Sequence, residues 1–168
     1  MAISTLILPE FDQEAENTRK TLERVPDAHW NWKPYEKSGT LGWLAGHVAN
    51  LNSWVTVTLK TEQLDFAPKD GPRYEPAKTT NRKELLEVFQ RVTSEARRAI
   101  SETTDECMHE PWSLLMGGQV LFTMPRYAVL RSMCFNHLIH HRAQLTTYLR
   151  GLNVAVPALY GPSADEGV

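Results

Sequence analysis

The chain has 168 residues, 42% of them hydrophobic and 23% charged, with a formal net charge of −2. That length suits a single domain hiding about 70% of its unfolded surface, and 18 basic residues against 20 acidic ones leave no excess to hold a phosphate backbone. One globular domain over 1–168, binding no nucleic acid, is the expectation.

The opening stretch from Met1 to Glu10 is apolar for a few residues, but it lacks a basic leader and meets acids too early for a signal peptide. No window holds the roughly 18 uninterrupted apolar residues of a membrane helix. Cys107 and Cys134 are too few for a disulfide framework and show no CxxC spacing. A cytoplasmic protein with reduced thiols and no membrane partner is expected.

The first helix is read from Pro9, or from slightly before it, to Pro26. Glu10 and Asp12 suit its positive end, and Phe11, Ala15, Thr18, Leu22 and Val25 recur at three- and four-residue spacing. Residues 27–34 have turn residues and tryptophans without helical period, so they read as a loop that packs Trp30 and Trp32 inward. Thr40 caps a second helix whose broad apolar face carries Trp43, Leu44, His47, Val48, Leu51, Trp54, Val55 and Leu59. Residues 64–78, with Pro68, Gly71, Pro72 and Pro76, read as a long loop.

Asn81 or Thr80 caps a third helix, striped by Leu85, Val88, Phe89, Val92, Ala96, Ala99 and Ile100. Between Pro111 and Pro125 the period changes, and Gly117-Gly118 between two apolar runs predicts a hairpin. A fourth helix follows Pro125 and runs to about Arg150, with Gly151 placed to cap it. The fold class is therefore all-α: a four-helix bundle with a small β-hairpin insertion between helices 3 and 4.

The fourth helix contains Asn136-His137-Leu138-Ile139-His140-His141-Arg142-Ala143-Gln144. Residues four apart lie about 40° apart in projection, so His137 and His141 stack on one face and can converge on one ion. A third ligand must come from elsewhere. His47 is the candidate, because an unpaired imidazole in the middle of the apolar face of helix 2 would be costly. The competing reading makes His47 a core histidine bonded to a carbonyl and the pair a chance spacing. His140, about 100° from His141, is assigned to the rim.

Leu138 stands where a zinc protease of the HExxH type needs its glutamate. Glu106-Cys107-Met108-His109 is a single Glu-x-x-His match, whereas a di-iron bundle needs two and further glutamates. Cys134, one turn before His137, is a possible thiolate ligand or a small buried hydrophobe. Asn50 and Gln144 could orient the ligands or a bound water. Arg126, Arg131 and Arg142 could meet a substrate carboxylate, although solvated surface positions are expected for all three. Helix 4 is also apolar at Phe135, Leu138, Ile139, Leu145 and Leu149, which would need cover from a neighbour and suits a homodimer.

Helix 1 and the four segments that follow it carry a resemblance. The segments are Trp30-x-Trp32-Lys33-Pro34, Leu41-x-x-Leu44-Ala45-x-His47, Asn136-His137-x-x-x-His141-Arg142-x-Gln144-Leu145 and Pro157-x-x-Tyr160-Gly161-Pro162-Ser163-Ala164-Asp165-Glu166. In this order they resemble the DinB/YfiT-like metalloprotein superfamily over nearly the whole chain. The resemblance implies a four-helix bundle, commonly a homodimer, with a divalent metal held at His47, His137 and His141. Zn, Ni or Fe are the metals an imidazole site would accept. Its implied activities include transfer of low-molecular-weight thiols to electrophiles.

An open metal site would lower the pKa of a thiol without a dedicated protein base, so a metal-dependent thiol S-transferase acting on a small-molecule substrate is the expected function. The alternatives are a non-catalytic metal-binding stress-response protein and a hydrolase using activated water.

Overall fold

The structure is a computed structural model that describes residues 2–167. It is mostly helical, with a small three-stranded sheet. No helix among the described residues is long and apolar enough to cross a membrane.

Helix α1 (Ile3–Leu22) begins well before Pro9, which lies inside it. Proline lacks the N–H that a helix interior uses, yet the first turn is secured from outside: the Ile3 amide donates to the Asp105 carboxylate at 2.7 Å. A single turn of 3₁₀-helix, Asp27–His29, leads into the tryptophan loop. Trp30 and Trp32 are half-buried there. The Trp30 indole lies over Gly42, where any Cβ would overlap the ring. The Gly42 and Leu41 amides donate to the carbonyls of Trp30 and Trp32 at 2.9 and 2.8 Å. This loop is thereby fastened to the start of the next helix.

Thr40 does cap that helix, accepting from the Trp43 amide at 3.1 Å. The single second helix of the sequence reading is two: α2 (Leu41–Asn50) and α3 (Ser53–Lys60). They part at Leu51–Asn52, where the Asn52 amide side chain donates to Thr93 Oγ1 at 2.9 Å. The loop expected at 64–78 begins as a strand, β1 (Gln63–Asp65). Asp65 explains why: its carboxylate accepts from the amides of Ala67, Gly117 and Gly118 at 3.0, 2.9 and 2.6 Å. Gly117 and Gly118 have φ of 60° and 81°, the left-handed pair that a tight hairpin turn demands. They join β2 (Pro111–Met116) to β3 (Gln119–Pro125), antiparallel, while β1 pairs with β2 in parallel, Leu64 opposite Leu114.

Helix α4 (Arg82–Glu102) opens on a capping box. Asn81 accepts from the Glu84 amide at 3.0 Å, and the Glu84 carboxylate takes the Thr80 amide at 2.8 Å. Its stripe from Leu85 to Ile100 is buried except for Val88, which is half-buried. A short helix, α5 (Asp105–His109), precedes the hairpin. The predicted fourth helix is continuous but not uniform: α6 (Arg126–Val129), a π-helical segment Leu130–Phe135, then α7 (Asn136–Gly151). Gly151 is not its left-handed cap. Asn153 takes that role at φ 57°, with Val154 N bonded to Leu149 O and Asn153 N to Arg150 O, a Schellman arrangement. A Cβ at Gly151 would meet the Trp32 ring at 3.4 Å, an ordinary contact.

The core divides into two clusters. One joins Phe11, Val55, Ile100, Trp112 and Phe135, and the other joins Leu22, Leu44, Val48, Leu85, Leu145 and Leu149. The apolar residues Phe135, Leu138, Leu145 and Leu149 are thus covered within one chain. They supply no outward face, so the argument for a homodimer through helix 4 loses them.

Two of the arginines expected at the surface are buried. Arg126 donates from Nε to Thr58 O and from Nη2 to Thr61 O, each at 2.9 Å, and pairs with Glu110. It satisfies carbonyls at the end of α3 that the helix itself leaves free. Arg142 is 1% exposed and paired with Glu14. Arg131, paired with Glu10, stays near the surface.

Candidate metal centre

Helices α2 and α7 pack against each other through Leu44, Val48, Leu138 and Leu145, and this contact turns one imidazole of α2 toward two of α7. His141 Nε2 lies 2.9 Å from His137 Nε2, which lies 3.5 Å from His47 Nε2. One nitrogen from each ring falls within 4.8 Å of the others. Metal–nitrogen bonds of about 2.0–2.1 Å in a tetrahedral set imply ligand nitrogens about 3.3 Å apart, and the two measured separations bracket that value. Three imidazoles on two packed helices therefore fit a divalent cation such as Zn, Ni or Fe. No thiol or carboxylate joins the group among the described residues.

Each ring is held by its surroundings. Gln144, one turn beyond His141, places Oε1 2.7 Å from His141 Nδ1 and Nε2 3.0 Å from His140 Nε2. With Oε1 as acceptor, the His141 proton sits on Nδ1 and the Nε2 lone pair faces the cluster. His47 is stacked on Trp43 with centroids 5.6 Å apart and planes 7° apart. Trp54 meets the His137 ring edge to face at 6.5 Å. The Met133 carbonyl favours charge on His137, yet Nδ1 is buried without a well-formed hydrogen bond among the described residues.

Burial lowers the pKa of all three histidines; His141 and His137 repel charge on His47, His141 and His140 do so on His137, and at His141 the Gln144 hydrogen bond partly offsets burial while His140 adds to it. His47 is pushed down to about 4, first by burial and then by His141 and His137. The rings are neutral at pH 7, as cation binding requires. In the metal-free protein the folded state resists protonation, whereas an unfolded histidine takes a proton near pH 6.5. Between those limits the unfolded chain binds more protons, so stability is full above about pH 6.5 and falls as pH drops toward 4. We expect the Tm of chelator-treated protein to decline from pH 7 to 5 and the slope to shrink in His47→Ala. An unchanged Tm over that range would refute neutral, buried rings.

The other sequence candidates are placed differently. Asn50 touches no histidine: Nδ2 donates to the carbonyls of Gly46 and Ala77, and Oδ1 accepts from the Ala77 amide at 3.2 Å. It fastens the 74–79 segment across α2, making one wall of the cavity beside His47. Cys134 is 2% exposed within the first core cluster, and burial pushes its thiol up to about 12, so it supplies no thiolate. The π-helical segment is the cause: an i→i+5 turn breaks the phase that would have put Cys134 under His137. His140 is exposed at the rim, and His29 and the Glu106–His109 pair lie outside the cluster.

Trp43 belongs to the apolar face predicted for helix 2, but it is 59% exposed and lines two cavities. One, of about 350 Å³, adjoins His47 and includes Trp30, Asn50, Glu75 and Lys78. The other, of about 750 Å³, adjoins His141 and includes Trp32, Tyr35, Gln144 and Tyr148. The clustering of aromatic residues at 30–43 was a signal for this, although the direction each ring faces was not.

The sequence model of the DinB superfamily matches residues 10–145. The uncharacterized protein YrdA of Bacillus subtilis (strain 168) is 24% identical over 160 residues, spanning 95% of this chain and 89% of its own. A solved DinB-like protein from Bacillus cereus ATCC 10987 superposes with a TM-score of 0.71 at 23% identity, over 95% of this chain and 98% of that one. A second, from Bacillus subtilis, gives 0.66 at 18% identity, over 90% and 96%.

Proposed function

The chain belongs to the DinB superfamily, and from that premise we propose that it is a divalent-metal enzyme that transfers a small thiol to an electrophile. The observation carrying this reading is the convergence of three neutral imidazoles, from two helices, beside open cavities. His47, His137 and His141 would hold the ion, and Gln144 would keep the His141 lone pair turned toward it. A cation held by three imidazoles supplies Lewis acidity that makes a thiol nucleophilic at neutral pH.

The protein's own contribution is positional. Asn50 holds the 74–79 wall, Trp43 shields His47 on one side, and the core behind α7 keeps water from the buried edge of His137. A purely structural metal site would be closed by a fourth protein ligand. Cys134, the nearest candidate in sequence, is sealed in the core instead. Hydrolysis would be aided by a general base, and no carboxylate joins the cluster among the described residues, which favours the thiol.

In transfer, sulfur bonds to the electrophilic carbon, the thiol proton passes to solvent and the leaving group departs. The test is to load purified protein with Zn, Ni or Fe and follow consumption of an electrophile panel with cysteine or glutathione. We expect thiol-dependent turnover that a chelator abolishes. Stoichiometric metal with no rate above the uncatalysed reaction for any pair would refute the transferase.

A further inference from the structure

The two cavities beside the imidazole cluster differ in charge. The one at His47 includes Glu75 and Lys78. The larger one, between α7 and the 32–39 loop, is lined by no Lys, Arg, Asp or Glu, and His141 is its one imidazole. Its volume of about 750 Å³ lies within the usual range for small-molecule sites. Trp43 stands between the two as a shared wall.

The walls of the larger chamber are set before any ligand arrives. Trp32 and Tyr148 meet edge to face, with centroids 5.6 Å apart and planes at 86°. The Tyr148 hydroxyl is engaged, donating to the Gly39 carbonyl at 3.3 Å. Gly39 has no Cβ because one would run into the Trp43 ring, so the loop closes directly on that tryptophan. Gln144 is likewise occupied by His141 and His140. No charged side chain of the lining would offset the hydration an ion loses here, whereas a flat apolar molecule would exchange water for ring faces.

We propose that this chamber binds an uncharged aromatic reactant and presents it to the His141 side of the cluster. The inference rests on reading the cluster as the reactive centre. Charged groups of a second reactant are directed to the other chamber, where Glu75 and Lys78 stand.

The experiment uses three probes of one shape: 2-naphthol, 2-naphthoate and 2-naphthylmethylammonium, titrated against the chelator-treated full chain at pH 7 by calorimetry and ligand-observed NMR, so that no cation at the cluster recruits the carboxylate. The neutral probe should bind at least ten-fold more tightly than either ion. Thr147→Trp, at an exposed α7 position on the chamber wall, should weaken 2-naphthol at least ten-fold while metal content stays that of the wild type. His137→Ala should lose metal and keep 2-naphthol binding, which separates failure of the metal reading from failure of this one. No binding of 2-naphthol, equal binding of all three probes, or unchanged binding in Thr147→Trp would overturn the proposal.

Discussion

Replacing His137 or His141 by alanine is expected to abolish binding of an added divalent cation, and replacing His140 is expected to leave it intact. The rings of His137 and His141 bring Nε2 atoms within 2.9 Å of one another, and His47 lies 3.5 Å from the first. Losing a partner that merely orients a ligand costs about 10–100-fold in metal affinity, and losing a ligand should exceed about 100-fold. His47→Ala should match the other two, because two imidazoles on one helix leave the ion half-bound. His140 points to Gln144 from the exposed rim, so its loss touches only the orientation of that amide. Elemental analysis after dialysis, with calorimetric titration of the metal-free variants, measures this directly. Equal loss across all four histidines, or retention in His47→Ala, would break the assignment.

Glu14→Ala should cost about 3–5 kcal/mol of unfolding free energy, the range for breaking a buried ion pair. Arg142 and Glu14 have side chains only 2% and 8% exposed and pair at 2.6 Å. Arg142 also donates to the Glu14 carbonyl at 3.0 Å and to Thr18 Oγ1 at 3.1 Å, while Tyr160 OH donates to the Glu14 carboxylate at 2.6 Å. Removing the carboxylate leaves a guanidinium in the interior with no counter-charge.

Tyr160→Phe deletes two hydrogen bonds, one accepted from Arg142 and one donated to Glu14, and should cost about 2 kcal/mol. The double variant Glu14→Ala with Arg142→Met should be more stable than Glu14→Ala alone, since it removes the stranded charge. Urea denaturation at pH 7 separates these cases, and a loss below about 1 kcal/mol for Glu14→Ala would show that water reaches the pair. The network also matters to the site. Arg142 follows His141, about 100° further around α7, so clamping the arginine inward to α1 turns the imidazole outward to the cluster.

The histidine pair and the helix caps were legible because they depend on short-range geometry. Four residues make about one helical turn, so His137 and His141 share a face wherever the helix packs. Thr40 and Asn81 cap because their side chains reach an amide three residues on. His47 could be singled out as a polar ring in an apolar stripe, which needs a partner whatever its neighbours are. Even the family resemblance rested on such local segments in a fixed order.

Other features were decided only when distant segments met. The α2–α3 break, the π-helical segment and the parallel pairing of β1 with β2 answer to tertiary contacts that no local period encodes. Asn50 looked like a partner for the histidines, but a backbone 27 residues away offered both a donor and an acceptor. Arg142 looked solvated because its counter-charge, Glu14, lies 128 residues earlier. Along the sequence a charge carries no mark of burial, since the cost of desolvation appears only where folding supplies or withholds a partner. Local spacing determined which rings could share a cation, and packing determined that Trp43 shields one of them while an uncharged aromatic chamber opens beside another.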